Sequence, residues 1–155
     1  MFSHTDERDD FDAVIIRTDY RDDQVWEAVK AALKVRPFDD VDYTSGIWIV
    51  DDPTWAGVSV DEALAAVNSS EALKGLEVFF LADEVTMQAA HHALIAVTTT
   101  TLDEPSSDEP MNCDRVFRTV PEGVRSIHAN LELANMGFEE FSAVAHHDPE
   151  DIYRP

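Results

Sequence analysis

Three apolar runs in this chain end in acids: Ile16-Arg-Thr-Asp19, Val50-Asp51-Asp52 and Ala82-Asp83-Glu84. If the runs are parallel strands, Asp19, Asp51, Asp52, Asp83 and Glu84 share the carboxyl edge of one sheet, where open α/β sheets take their ligands. Carboxylates converging there would offer hard oxygen ligands to Mg²⁺ and would raise one another's pKa, which is the chemistry of a metal-binding or hydrolytic domain. An acid after a strand also caps the helix that follows by accepting from its free N–H groups, and Asp19 and Asp83 suit that role equally. Trp55 stands beside this rim in Asp52-Pro-Thr-Trp-Ala-Gly57. A loop tryptophan either anchors a partner or folds back over the core, where its large apolar area is well used.

Other chemistries find less support. The five glycines include no Gly-x-x-x-x-Gly-Lys-Ser/Thr arrangement, so no phosphate cradle is encoded. In a receiver-type domain Asp19 and Asp83 would be the acids and Thr98 the hydroxyl, but that site also needs a lysine after the fifth strand. Lysine occurs only at 30, 34 and 74, and the fifth run supplies Arg115 and Arg118 instead. His91-His92 and His146-His147 are adjacent pairs, and neighbours on a helix or strand point to different sides rather than at one ion. His128, next to Ile127, is placed on the flank of its helix as a rim residue. Cys113 is the only cysteine, with no basic cluster near it in sequence beyond Arg115, and it gives no disulfide framework.

The elements that must position the rim follow from hydrophobic patterning. Ala13–Ile16, Ile47–Val50, Val78–Ala82 and Ala93–Val97 are apolar on consecutive positions, as strands covered on both faces are. Val14, Ile16, Ile49, Phe79, Leu81 and Ile95 are the expected core, with Phe80 and Val97 on the opposite face. Trp26 and Trp48 also fall on core positions. Val25, Trp26, Val29 and Leu33 at helical spacing predict a helix over Asp22–Val35, started by Asp22 and Asp23. Ser59-Val-Asp-Glu62 is a capping box opening a helix through Val67. The gap Asp83–His92 holds at most two or three helical turns. Asp103–Glu109, with Pro105 inside it and Pro110 directly after it, predicts a mobile loop over 103–112. Asp114–Val120 forms a fifth strand, paired as a hairpin with the fourth across that loop. Val124, Ile127, Leu131 and Ala134 share a helix face that Gly137 would end with a left-handed cap, and Phe138, Phe141 and Val144 make a closing helix. Residues 1–11 read as a frayed acidic tail, 12–147 as one domain and 148–155 as a polar tail. The fold expected is a three-layer α/β domain with a mostly parallel sheet of about five strands, the last being the candidate for an antiparallel one.

Charge restricts the partners. The 155 residues carry 32 Asp and Glu against 11 Lys and Arg, a formal net charge of −21. Nucleic acid and anionic membranes would be repelled, since binding phosphate requires cations, whereas a basic protein or divalent cations would be attracted. Solubility alone is the other use of such a charge. The polar, acidic Met1–Asp12 is unlike a signal peptide, and no apolar run reaches the length of a membrane span, so a cytoplasmic location is expected.

Ala13-Val-Ile-Ile-Arg-Thr-Asp-Tyr20, Val50-Asp-Asp-Pro-Thr-Trp-Ala-Gly57, Ala82-Asp-Glu-Val-Thr86 and Ala134-Asn-Met-Gly-Phe-Glu-Glu-Phe141 together resemble a family of small acidic actinobacterial proteins with no assigned activity. Gly137-Phe-Glu-Glu-Phe141 also resembles the closing helix of some toxin-immunity proteins. The expectation carried forward is a non-enzymatic acidic binding protein, an inhibitor or immunity-type factor for a basic partner, with no cofactor. The metal-binding or hydrolytic rim is the alternative.

Overall fold

Side chains alternate across a strand, so a run apolar at every position must be buried on both faces. The computed structural model describes residues 13–34, 47–70, 73, 76–99, 116–132 and 137–154, and in it the four apolar runs are strands. The chain order is β1 (Ala13–Arg17), α1 (Asp23–Lys34), β2 (Ile47–Val50), α2 (Val60–Ser69), β3 (Val78–Ala82), α3 (Glu84–Gln88), β4 (Leu94–Thr98), β5 (Val116–Thr119), α4 (Val124–Glu132), α5 (Phe138–His147) and β6 (Ile152–Tyr153). They form an α/β unit with a sheet in the order β2-β1-β3-β4-β5-β6.

β1 pairs parallel with both β2 and β3, and β5 with β6. β4 is antiparallel to β3 and to β5. The reversed strand is therefore the fourth, not the last. A parallel connection needs a crossover of a dozen or more residues, and the stretch Asp83–Ala93 holds only the short α3 before β4 begins. The hairpin-type pairing of the fifth strand with the fourth holds, and because β4 is reversed, β5 points the same way as β1, β2 and β3.

The sheet has six strands rather than about five, because the segment read as a polar tail contains β6, with Ile152 buried. Gly137 is not a left-handed cap. Its φ is −90° and it stands at the start of α5, with its N–H donated to Glu140 Oε2 at 2.7 Å. The tail 1–11, the loop 103–112, Cys113, Arg115, Val35 and Ala134 lie outside the described residues.

Each face of the sheet carries an apolar cluster. One gathers Ala13, Ile15, Phe80 and Phe117 with Trp26, Val29 and Leu33 of α1, Val124 and Ile127 of α4, and Phe141 and Ala145 of α5. The other gathers Val14, Ile16, Phe79 and Leu81 with Ala63 and Val67 of α2, Trp55 and Leu73. Val97 lies with Phe79 rather than opposite it, because directly paired residues of an antiparallel ladder share a face and Val97 stands opposite Phe79. Ile49 is only partly buried and packs on the Ile15 side, since its register partner is Ile15 and β2 is an edge strand. Ile95 and Trp48 are also partly buried. Val144 is exposed, its expected core place being taken by Ala145. His128 is fully buried rather than at a rim, four residues after Val124 on the face that α4 turns to the sheet.

Candidate functional site

The site is organised by a cation that follows a buried run. Arg17 ends β1 with a side chain 4% exposed, and a guanidinium in that position must find carboxylates and hydrogen-bond acceptors or bear a large desolvation cost. Its Nε donates to the Asp19 carbonyl at 2.9 Å, its Nη2 to Asp23 Oδ1 at 2.7 Å and its Nη1 to Asp51 Oδ1 at 3.5 Å. Its guanidinium carbon lies 4.2 Å from the Tyr20 ring centre and 5.1 Å from that of Trp26. Trp26 Nε1 donates to the other oxygen of Asp51 at 3.1 Å. One buried cation thereby ties the ends of β1 and β2 to the start of α1. Burial first, and then the Asp51 charge, push the Tyr20 phenol well above the usual tyrosine value.

Asp19 is buried and is held by its near neighbour Arg21, whose Nε and Nη2 donate to Oδ1 and Oδ2 at 3.1 and 2.9 Å. The Arg21 backbone N–H also donates to Oδ1 at 3.0 Å. The Arg21 hydrogen bonds pull the Asp19 carboxyl below the usual range in spite of the burial that pushes it up. The same Arg21 Nη2 lies 3.1 Å from Glu84 Oε2, and these two carboxylates keep the guanidinium more firmly protonated than a free arginine, Asp19 foremost.

Asp83 begins α3 with a reciprocal capping box. Its Oδ1 accepts from the Thr86 N–H at 3.1 Å, while Thr86 Oγ1 accepts from the Asp83 N–H at 3.1 Å. It is also gripped by Arg118 of β5 through two contacts, Nη1 to Oδ1 at 3.1 Å and Nη2 to Oδ2 at 2.9 Å. Burial pushes this carboxyl up, and Arg118 and Thr86 together outweigh it, so the net displacement is downward.

Asp52 faces a different task. Its Oδ1 accepts from the Thr54 N–H at 3.0 Å and so caps a 3₁₀ turn, Pro53–Trp55. That turn leads to Gly57, whose φ of +77° lets its N–H reach the Thr18 carbonyl at 2.9 Å. The loop is thus stitched to the end of β1, and Trp55 is turned inward, 6% exposed, in the cluster with Val14 and Phe79. It covers the core and is not an exposed anchor.

Asp19 and Glu84 are therefore brought together through Arg21, Asp51 is held by Arg17 and Trp26, Asp83 by Arg118, and Asp52 caps its own turn. Among the described residues no three His, Cys, Asp or Glu side chains assemble as a metal site. His91 and His92 serve their own turn, His91 Nδ1 accepting from the Ala93 N–H at 3.1 Å and His92 Nδ1 lying 2.9 Å from the Thr86 carbonyl. A cavity of about 290 Å³ adjoins the Arg21 pair, lined by Asp19, Arg21, Asp22, Val25, Met87 and Gln88.

The residues that sequence reasoning left out of the site are its three arginines. Arg17 carried a signal, being a charge directly after four apolar residues in a run buried on both faces. Arg21 and Arg118 gave none, because their partners depend on the β1–α1 turn and on β4 being reversed. No curated protein matches the chain. Residues 12–155 match a domain of unknown function, DUF6924, and the chain belongs to that family.

Proposed function

We propose that this protein is a non-enzymatic binding protein, of inhibitor or immunity type, that docks a basic partner polypeptide on the strand-end rim. The observation that carries this reading is the excess of exposed carboxylate on the rim over its internally paired arginines. Arginine contacts hold Asp19 and Asp83 below the usual carboxylate range, which makes them fixed anions near neutral pH. A general acid or base works best with a pKa near the operating pH. Each guanidinium of the rim is occupied internally, and carboxylate remains in excess. Asp23 is 86% exposed and Glu84 62%, while Asp22 and Asp52 add further charge. Such a surface steers and holds a cationic protein and repels nucleic acid and anionic lipid.

The reading is tested by capture from a lysate of the native cell at low and high salt, with association rates measured for each protein retained. A basic partner is expected, bound quickly at low salt and weakened as ions screen the field over about 8–10 Å. Glu84→Gln and Asp51→Asn should slow association. A partner whose binding ignores salt overturns the reading. Saturable heat on titration with Mg²⁺, abolished by Asp51→Asn, would replace it with metal binding.

A further inference from the structure

Arg21 is placed as a partner's basic residue would be. Its backbone is fixed by the hydrogen bond from its own N–H to Asp19, but its side chain is 63% exposed and lies between a buried carboxylate, Asp19, and an exposed one, Glu84. The adjoining cavity is mixed in character. Asp19 and Asp22 supply charge, Val25 and Met87 an apolar wall, and Gln88 an amide at the exposed side. Its volume of about 290 Å³ has room for one long side chain. An apolar wall leading to carboxylates is complementary to lysine or arginine, whose aliphatic stems pack on apolar surface while the head keeps its charge partners. Asp19 is paired with Arg21, while Asp22 Oδ1 accepts from the Gln24 and Val25 N–H groups at 3.0 and 3.1 Å.

We infer that this cavity receives one arginine or lysine of the partner, and that Arg21 is an internal plug which the incoming cation displaces from Asp19 and Glu84. The inference rests on the docking function proposed above and names its point of entry. Arg21 is exposed while Asp19 is buried, so a displaced Arg21 returns to water and the incoming cation takes over the contacts to Asp19 and Glu84. The plug keeps Asp19 compensated while the site waits.

The probe is an octa-arginine peptide, with affinity measured by fluorescence anisotropy on the full chain. Arg21→Ala should bind it about two- to fivefold more tightly than the parent chain. Arg154→Ala is the control for net charge, since Arg154 is another exposed arginine bridging two carboxylates, Asp148 and Glu150, beyond β6. It should produce less than half of that gain. Gln88→Trp, at an exposed position, should narrow the cavity without a change of charge and weaken binding about fivefold, with its thermal unfolding unchanged. Equal gains from Arg21→Ala and Arg154→Ala, or full affinity in Gln88→Trp, overturn the plug. If those variants behave alike while the parent chain binds the peptide in a salt-sensitive way, the docking rim stands and only its entry point falls. No binding by the parent chain at low salt overturns both.

Discussion

Arg118 grips Asp83 across an intervening strand. The arginine belongs to β5 and the aspartate follows β3, and between them the Arg118 Nη1 also donates to the Ala93 carbonyl, just before β4, at 3.2 Å. Both side chains are about a quarter exposed, so the pair is shielded enough to matter and wet enough to form without a large desolvation cost. Arg118→Met strands a partly buried carboxylate and should cost about 1.5–3 kcal/mol in urea unfolding. Removing both partners, as Arg118→Met with Asp83→Ala, should cost less than the arginine change alone. A double variant less stable than the single one would show that Asp83 is needed for its cap more than for its charge.

The same contacts set an acid limit. Asp19 and Asp83 have native pKa values lowered by their arginines, while in the unfolded chain they titrate near 3.9. Folding therefore favours their ionised forms. The stability they contribute is complete above about pH 4 and is lost as pH falls through their native values. The urea midpoint should fall steeply below pH 4, and Asp83→Asn should flatten that part of the profile. An unchanged slope in Asp83→Asn would assign the acid sensitivity to other carboxylates.

Trp55 separates a structural loop from a binding one. Trp55→Ala removes a buried ring and should cost about 3–5 kcal/mol of stability. In variants that remain folded at low temperature, affinity for a basic partner should change by less than twofold. A large affinity loss with little loss of stability would return Trp55 to the binding surface.

How far this fold could be read in advance depended on whether the information was local. Periodicity over a few residues reports burial, which is why Ala13–Ile16 and Val78–Ala82 were legible as strands. Caps are equally local, and Ser59 and Glu62 form the reciprocal pair their spacing implied. The direction of β4 was not local. It follows from the length of a connection, and it placed Val97 beside Phe79. The strand-end acids were legible as residues but not as a site, because their partners Arg21 and Arg118 are selected by a turn and by a strand two places away. β6 was missed since two residues carry no period.

Gly123 marks where β6 meets the rest. A Cβ built on it would press on Thr119 Oγ1 and lie 2.9 Å from the Tyr153 ring, so the closing strand can approach only because that side chain is absent. Gly123→Ala should destabilise by about 1–3 kcal/mol through overpacking. In the Tyr153→Ala background, where the ring contacts with Phe117 and Phe141 are already lost, Gly123→Ala should cost less than in the parent chain, a recovery read by thermal unfolding. No recovery would place the clash at Thr119.

The reversal of β4 also orders events in time. β3 and β4 can meet once the chain between Ala82 and Leu94 closes, whereas β1 must wait for β3 across two helical crossovers. Loop closure has an entropic cost that grows with length and is met before the distant contacts reward it. The β3–β4 ladder is thus expected to be formed at the folding barrier, with the β2 edge added later. Ile95→Val should slow refolding, and Ile49→Val should mainly speed unfolding, in stopped-flow kinetics. The opposite pattern would mean that the parallel half nucleates first, and that the antiparallel strand is laid onto it.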